Sequence, residues 1–495
     1  MEIREIENIE PKEVMSWFKK ICAIPHGSYH EAALSKWLAE QCRKAGCEVQ
    51  TFPSGMILAK QKATPGCEEW PTVLLQSHMD MVLAKTDKTD IDMVKEPITP
   101  YYDTESGQIR ADHTSLGGDD GIGVASQLAI MYNPKIIHGP IEHLFTVCEE
   151  DQPGKCVIEE LPSGALTAKY YLNIDAERLD ELTYGGAGCS TLKYDCKFKQ
   201  VDLKPNLQAY NVSLTGLTGG HSGNDVVRPH INAIAFLAQC LVDFSMLNKT
   251  NISISKFDGG PINNSLPVYA KIDLLMEPKQ FEKFKRFAIN QLILAKRVAQ
   301  KQEDNAVLAF EKVDNPKKVY SIDDSMKILL FASLAPNKVF TQALGENKMF
   351  SSSNLGFISA DNGNLKIDFK VRSFIDGEVQ RTVRKIQSLG LLLGFKNCTQ
   401  QGQLMAFIND IKHNTAAQIW SETYKEVTGE KVKFIAVAGG LECAIICAKN
   451  PTMVANAISI NTTLFNCHSP AEGFSVPDTV KFWKILKGTL AKLKE

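Results

Sequence analysis

Residues 71–82 read PTVLLQSHMDMV. Val73, Leu74 and Leu75 form a short apolar run, the pattern of a strand buried on both faces in a mostly parallel sheet. Polar residues begin where the run stops, with Gln76, Ser77 and His78, and Asp80 follows two positions later. The same shape returns in IEHLFTVCEED (141–151), which runs into Glu149-Glu150, and in KYYLNIDAE (169–177), which runs into Asp175. Between them DGIGVASQLAIMY (120–132) reads as a buried helix that starts after glycine-rich punctuation. Strands alternating with helices predict an α/β sheet. Such sheets bind ligands beyond the carboxyl ends of their strands. One apolar run ending in a carboxylate or an imidazole is commonplace; three in succession point to a site.

Outward from this core the pattern changes. Helices are expected over Glu10–Lys20, with Pro11 at the start, and over Glu31–Ala45, ended by Gly46. From about 187 to 400, alternating stretches such as NVSLTGL (211–217) and LKIDFKVRSF (365–374) flank a helix-like segment, Glu277–Lys301. That is the signature of an α+β insertion with an antiparallel sheet. After 400 the α/β style resumes. Thr415–Thr428 is helix-like, FIAVAGGLEC (434–443) strand-like, and Val480–Lys494 closes the chain as a helix. The expected organisation is a first catalytic part at 1–186, an inserted domain at 187–400 and a second catalytic part at 401–495.

Composition narrows the function classes. The 495 residues are 44% hydrophobic and 23% charged, as in an ordinary globular protein. Lys and Arg number 55 against 57 Asp and Glu, a formal net charge of -2. That balance argues against nucleic-acid or membrane-surface partners, whose affinity rests on clustered positive charge. The acidic N-terminus lacks the basic start of a secretory signal. The apolar stretch around Ile234–Phe244 is broken by Gln239 and Asp243 and is too short for a membrane span. Thirteen scattered cysteines, odd in number and without CxxC, read as reduced thiols in the cytoplasm. Cys443 and Cys447 share a helix face but lack the second pair a zinc-thiolate site needs.

Five residues carry the chemistry together better than any does alone. His78 can ligate a metal while Asp80 steadies its other ring nitrogen, although HxD also occurs on plain surface loops. In LGGDDGIG (116–123) the glycines let the backbone approach a site closely. Asp119 there is a candidate ligand or an N-cap. A phosphate loop is disfavoured, because no GxxxxGK[ST] is present and two adjacent carboxylates repel a phosphate. Glu149-Glu150 should repel each other unless a cation intervenes. One goes to a metal, leaving the other as a general base. Asp175 and His468 complete a set of two imidazoles and three carboxylates. Such a set suits Zn²⁺ first and also Mn²⁺ or Co²⁺. Five ligands are too many for one open catalytic zinc and fit two metals about 3.5–4 Å apart with one bridging carboxylate.

The stretches LLQSHMDMV (74–82), TSLGGDDGIGVA (114–125), LFTVCEE (144–150), YLNIDAE (171–177), LTGLTGGHSGND (214–225), GGPINNSLP (259–267), SSSNLG (351–356), GGLEC (439–443) and CHSPAE (467–472) span nearly the whole chain. They resemble the dizinc metallopeptidase family of aminoacylases, glutamate-type carboxypeptidases, carnosinases and peptidase T, nearest to its aminoacyl-histidine dipeptidase branch. The resemblance implies a zinc-peptidase catalytic domain interrupted by a lid. It implies that His78, Asp119 and Asp175 hold one zinc, and that Asp119, Glu150 and His468 hold the other. Asp80 would orient His78, Glu149 would be the general base, and His221 would stabilise the oxyanion from the lid. In some relatives that histidine comes from the partner subunit, so the resemblance also admits a homodimer through the lid domain.

The implied reaction is hydrolysis of unblocked dipeptides, with Xaa-His such as beta-alanyl-histidine among them. A free amine calls for an acid, Glu442 or one in the lid, and a carboxylate calls for Arg372 or Arg228, with Asn264 also expected to touch substrate. Two other readings are an amidohydrolase of N-acyl amino acids and a non-catalytic scaffold; six intact catalytic positions argue against the second. The chain departs from the branch pattern at Asp120, usually Asn, at Asp151-Gln152-Pro153, usually Gly-rich, at Val268, usually basic, and at Ala438, usually His. None of these is an expected ligand, so they bear on substrate preference.

Overall fold

The computed structural model describes residues 2–150, 157–342, 349–375, 377–438 and 442–494. It divides into two units, Met1–Gly186 with Phe407–Val437 and Leu441–Glu495, and Ala187–Ala406 with Ala438–Gly440.

The first unit is built on a nine-stranded mixed sheet. At its centre the strands Ile141–Thr146, Val73–His78, Tyr170–Asn173 and Ala457–Ser459 lie side by side and parallel. Every residue of Val73–His78 is buried. The strand therefore runs past the apolar triplet and includes Gln76, Ser77 and His78. The reason is hydrogen-bonding supply in the core: the Gln76 side-chain oxygen accepts from Tyr171 (2.8 Å) and Asn173 (2.6 Å), and its amide donates to Glu442 (2.6 Å). Polar side chains stay buried where each is so partnered.

The helix Gly118–Met131 is buried on all sides, as expected of a helix that is apolar all round. Asp119 and Asp120 are non-helical, so regular helix begins at Gly121. Gly123 sets how close this helix comes to the strand ends. A Cβ there would strike the Asp120 carboxylate, the Ser77 hydroxyl and the Ile174 carbonyl. Helix Lys12–Cys22 packs beside it through Phe18 and Ile21. A smaller five-stranded sheet includes Gln108–Ala111 and a hairpin of Leu464–Phe465 with Gly473–Ser475.

The strand reading of 434–443 holds only in part. The strand is Lys433–Val437, and Glu442–Lys449 is a helix. Cys443, Ala444, Ile446 and Cys447 are buried on it, the stripe of a helix rather than the alternation of a strand.

The second unit is α+β. Its nine-stranded sheet is antiparallel, with Met349–Asp361, Asn364–Ser373 and Gly188–Lys197 adjacent. Helices Ala233–Asn248, Pro278–Val298, Ile322–Leu334 and Glu378–Leu392 contribute to the core around Leu237, Phe284, Phe331 and Ile386. No helix among the described residues is long and apolar enough to cross a membrane.

Gly123→Ala should destabilise the protein by about 1–3 kcal/mol or more, the usual scale for forcing a methyl into a filled core. Chemical denaturation measures this directly; an unchanged midpoint would mean the helix can move away from the strand ends.

Candidate metal centre

Three adjacent parallel strands deliver three parts of the site. His78 is the last residue of its strand, Glu149 and Glu150 follow Ile141–Thr146, and Asp175 follows Tyr170–Asn173. Asp119 comes from the entrance of the buried helix, and His468 from the 464–475 hairpin.

His78 Nε2 lies 3.1 Å from Asp119 Oδ1 and 3.4 Å from Asp175 Oδ1. His468 Nε2 lies 2.8 Å from Glu150 Oε2 and 3.4 Å from Asp119 Oδ2. Two triads result, His78–Asp119–Asp175 and Asp119–Glu150–His468, each with its ligand atoms within 4.8 Å of one another. Asp119 belongs to both and gives one oxygen to each.

Asp80 is 1% exposed and does more than the sequence suggests. His78 Nδ1 donates to its backbone carbonyl at 3.0 Å, while the carboxylate stands 3.6 Å away. The carboxylate accepts the backbone N–H groups of Glu149 (2.9 Å) and Glu150 (3.1 Å), and the Ser28 hydroxyl (2.8 Å). It thus fixes the turn that aims both glutamates. Glu31 assists by accepting the Cys148 N–H at 3.0 Å. No sequence pattern marked Ser28 or Glu31.

The titration tendencies follow from crowding. Burial opposes a charge on His78, but Asp175, Asp119 and Asp80 outweigh it and hold its pKa well above the ordinary value. Hydrogen bonds to Asp119 and Glu150 push His468 up to about 10. Burial, then Asp175, Glu442 and Glu150, hold the Glu149 carboxyl well above the usual range. Burial and Asp175 do the same to Asp120. Asp120 is fully buried beside Asn461 (3.3 Å) and Ser77. Burial and the neighbouring Asp175 thus favour its neutral form.

These residues fit two cations. Three carboxylates in such a space repel one another by about 4 kcal/mol per pair at 4 Å in an effective dielectric near 20. Glu150 Oε1 is buried without a hydrogen-bond partner. His78 already donates its Nδ1 proton to the Asp80 carbonyl, which leaves Nε2 free to face a metal. The phosphate alternative fails on geometry, because the N–H groups of 116–119 already bond Glu472.

A curated relative, the cytosol non-specific dipeptidase of Escherichia coli strain K12, is 28% identical over 490 residues, 99% of each chain. The crystal structure of aminoacylhistidine dipeptidase from Vibrio alginolyticus superposes with TM-score 0.88 at 28% identity, over 98% of this chain and 97% of that one. Over nearly its whole length the chain is thus similar to two proteins named dipeptidases. An M20 family metallo-carboxypeptidase from Sulfolobus solfataricus shares the fold, with TM-score 0.58 at 14% identity over 97% and 99% of the two chains. No family model matches the chain.

Other expected site residues lie as follows. Glu442 is 2% exposed, accepts from Gln76 and Thr146 at 2.6 Å each, and is pushed to about 8, chiefly by burial. Both contacts fall on Oε2, and its other oxygen, Oε1, is buried without a hydrogen-bond partner. In the second unit, His221 donates its backbone N–H to Asp225 at 2.7 Å, and its Nε2 accepts from Arg372 at 3.1 Å. Arg372 is 5% exposed, donates to the Ala438 carbonyl at 2.8 Å, and leaves Nε without a partner. Arg228 is held by the Gly219 carbonyl and Asp225. Asn264 is exposed, its backbone carbonyl accepting from Ser222. Asp151-Gln152-Pro153 and Gly439–Leu441 lie outside the described residues.

Glu150→Gln should weaken metal binding by more than the about 10–100-fold that losing an outer-shell partner costs. Glu149→Gln should retain two metals per chain. Metal analysis after dialysis separates the two, and the reverse pattern would exchange their roles.

Proposed function

We propose that this chain is a cytoplasmic metallo-dipeptidase that hydrolyses unblocked dipeptides with two divalent metals, Zn²⁺ first and Mn²⁺ or Co²⁺ as alternatives. The observation that carries the reading is Asp119, one carboxylate shared by two ligand triads beside a half-buried glutamate, Glu149, that belongs to neither. In support, the two full-length relatives are both named dipeptidases. The cytoplasmic placement draws on the described cysteines, all free.

In this reading His78, Asp119 and Asp175 hold one cation, and Asp119, Glu150 and His468 the other. Bound there, two cations would supply water activation and polarisation of the scissile carbonyl. Glu149 is placed to take the proton from the attacking water and return it to the leaving amine. Burial and the neighbouring carboxylates raise its pKa, the direction that lets a carboxyl hold a proton as well as accept one. Asp80 keeps Glu149 in place through the backbone, so the base acts from a fixed position.

His221 is proposed as the oxyanion donor and Arg372 as the partner of the substrate carboxylate. Arg372 is preferred to Arg228 because Arg228 already pairs with Asp225. Among the described residues Arg372 meets a carbonyl and an imidazole but no carboxylate. A buried cation without a counter-charge favours an anionic ligand. For the second residue of the substrate, we propose Xaa-His among several accepted dipeptides. Ala438 packs in an apolar cluster with Val226, Leu266 and Met349, so the position usually held by histidine offers only a methyl and a backbone carbonyl.

His221→Ala should lower kcat by about 10²–10³ with metal content unchanged, the scale of losing one oxyanion donor. An unaltered kcat would leave it a turn residue. Values of kcat/KM should be higher for beta-alanyl-histidine, alanyl-histidine and glycyl-leucine than for a tripeptide or N-acetyl-alanyl-histidine. Chelation should abolish all of them. Faster cleavage of the blocked peptide would favour the N-acyl amidohydrolase instead.

A further inference from the structure

Four consecutive backbone N–H groups, those of Leu116, Gly117, Gly118 and Asp119, converge on one side chain. Glu472 Oε2 accepts from Leu116 (2.8 Å) and Gly117 (3.1 Å). Its Oε1 accepts from Gly118 (2.8 Å) and Asp119 (3.2 Å). Glu472 is 3% exposed. Successive N–H groups turned to one point make a nest for an anion. Here the anion comes from the chain's own far end. A carboxylate has only acceptors to offer, so four donors and two oxygens match completely.

The loop can wrap the carboxylate only as glycine. Gly117 has φ +71°, and a Cβ there would meet Met81 and His26. A Cβ on Gly118 would press on Phe474 and on Glu472 itself.

Glu472 sits on the same hairpin as His468. Leu464 pairs with Phe474, and Phe465 with Gly473, closing a tip that holds both residues. The tip is braced internally. Ser469 Oγ donates to the Asn466 carbonyl at 2.7 Å, and the Glu472 N–H donates to the Ser469 carbonyl at 3.1 Å. Arg110 donates to the Ala471 carbonyl at 3.2 Å. From this tip His468 turns outward, its side chain 52% exposed, to Asp119 and Glu150. Glu472 turns inward and grips the backbone that carries Asp119. One hairpin thus supplies a ligand and also fixes the loop of the ligand shared by both triads.

We propose that Glu472 is a positioning residue of the metal centre, clamping residues 116–119 so that Asp119 is aimed before metal arrives. The proposal rests on the ligand reading above. Because Asp119 faces both triads, loss of the clamp weakens both metals, whereas loss of His468 or Asp175 strikes one triad.

The test uses the full chain carrying Glu472→Gln or Glu472→Asp. Gln replaces one acceptor with an NH₂ that faces N–H donors, and Asp keeps the charge but shortens the reach. In metal-free protein, amide exchange at 116–119 should rise at least about tenfold on losing the acceptor. Chelator competition with Zn²⁺ should show both metals bound about 10–100-fold more weakly, with Asp less affected than Gln. At saturating metal kcat should fall while KM stays within about twofold. A merely structural role would lower the thermal midpoint of the metal-free protein and leave the affinities of folded protein unchanged. If Glu472→Gln does not fold, Glu472→Asp decides by the same measurements. Wild-type protein that binds no metal overturns the ligand reading. Wild-type protein that binds two metals, with a folded variant that binds them within twofold, overturns the role of Glu472 alone.

Discussion

Asp119 has two carboxylate oxygens and turns one to His78 and the other to His468. That division ties five side chains from five separate segments into one cluster. Much of the first unit is arranged to allow it. The parallel register of Val73–His78 with Ile141–Thr146 and Tyr170–Asn173 brings three strand ends to one edge. Gly123 lets the buried helix approach that edge until its Asp120 carboxylate reaches Ser77. Asp80 and Glu472 then hold backbone rather than metal, one at Glu149-Glu150 and the other at 116–119.

Such a cluster opposes folding when no cation is present. Asp175, Glu149, Glu150 and Asp120 are all held above their ordinary pKa, burial being the first cause and neighbouring carboxylates adding to it. Sites of this kind are stabilised by their surroundings and by the cation they receive. Here the surroundings are a polar network under the site, in which Gln76 joins Tyr171, Asn173 and Glu442. The same crowding raises the pKa of Glu149.

The α/β core and the α+β insertion were legible in sequence because both rest on periodicity. A fully apolar run and a 2.0 or 3.6 repeat survive without knowledge of neighbours. Four of the five candidate ligands stood out because each follows an apolar run or glycine, whereas His468 is a lone histidine in LFNCHS and came only with the resemblance. What failed to show were contacts made across the chain. Asp80 looked like a partner for His78 alone, since its bonds to the 149–150 backbone depend on how two strands pair. The contacts of Glu442 with Gln76 and Thr146 were hidden in the same way, since nothing local places those two residues beside it. The end of the strand at Val437 was hidden because Cys443 and Cys447 are apolar in either pattern. Glu472 was quoted within a motif and given no role, because backbone donors leave no mark in sequence.

The central claim is that Asp119 bridges two metals. Anomalous diffraction from crystals of the metal-loaded protein, recorded on both sides of the metal absorption edge, tests it most directly. Two peaks about 3.5–4 Å apart are expected, with one Asp119 oxygen on each, His78 and Asp175 on the first, and Glu150 and His468 on the second. A single peak, or two peaks with Asp119 bound to only one, would contradict it.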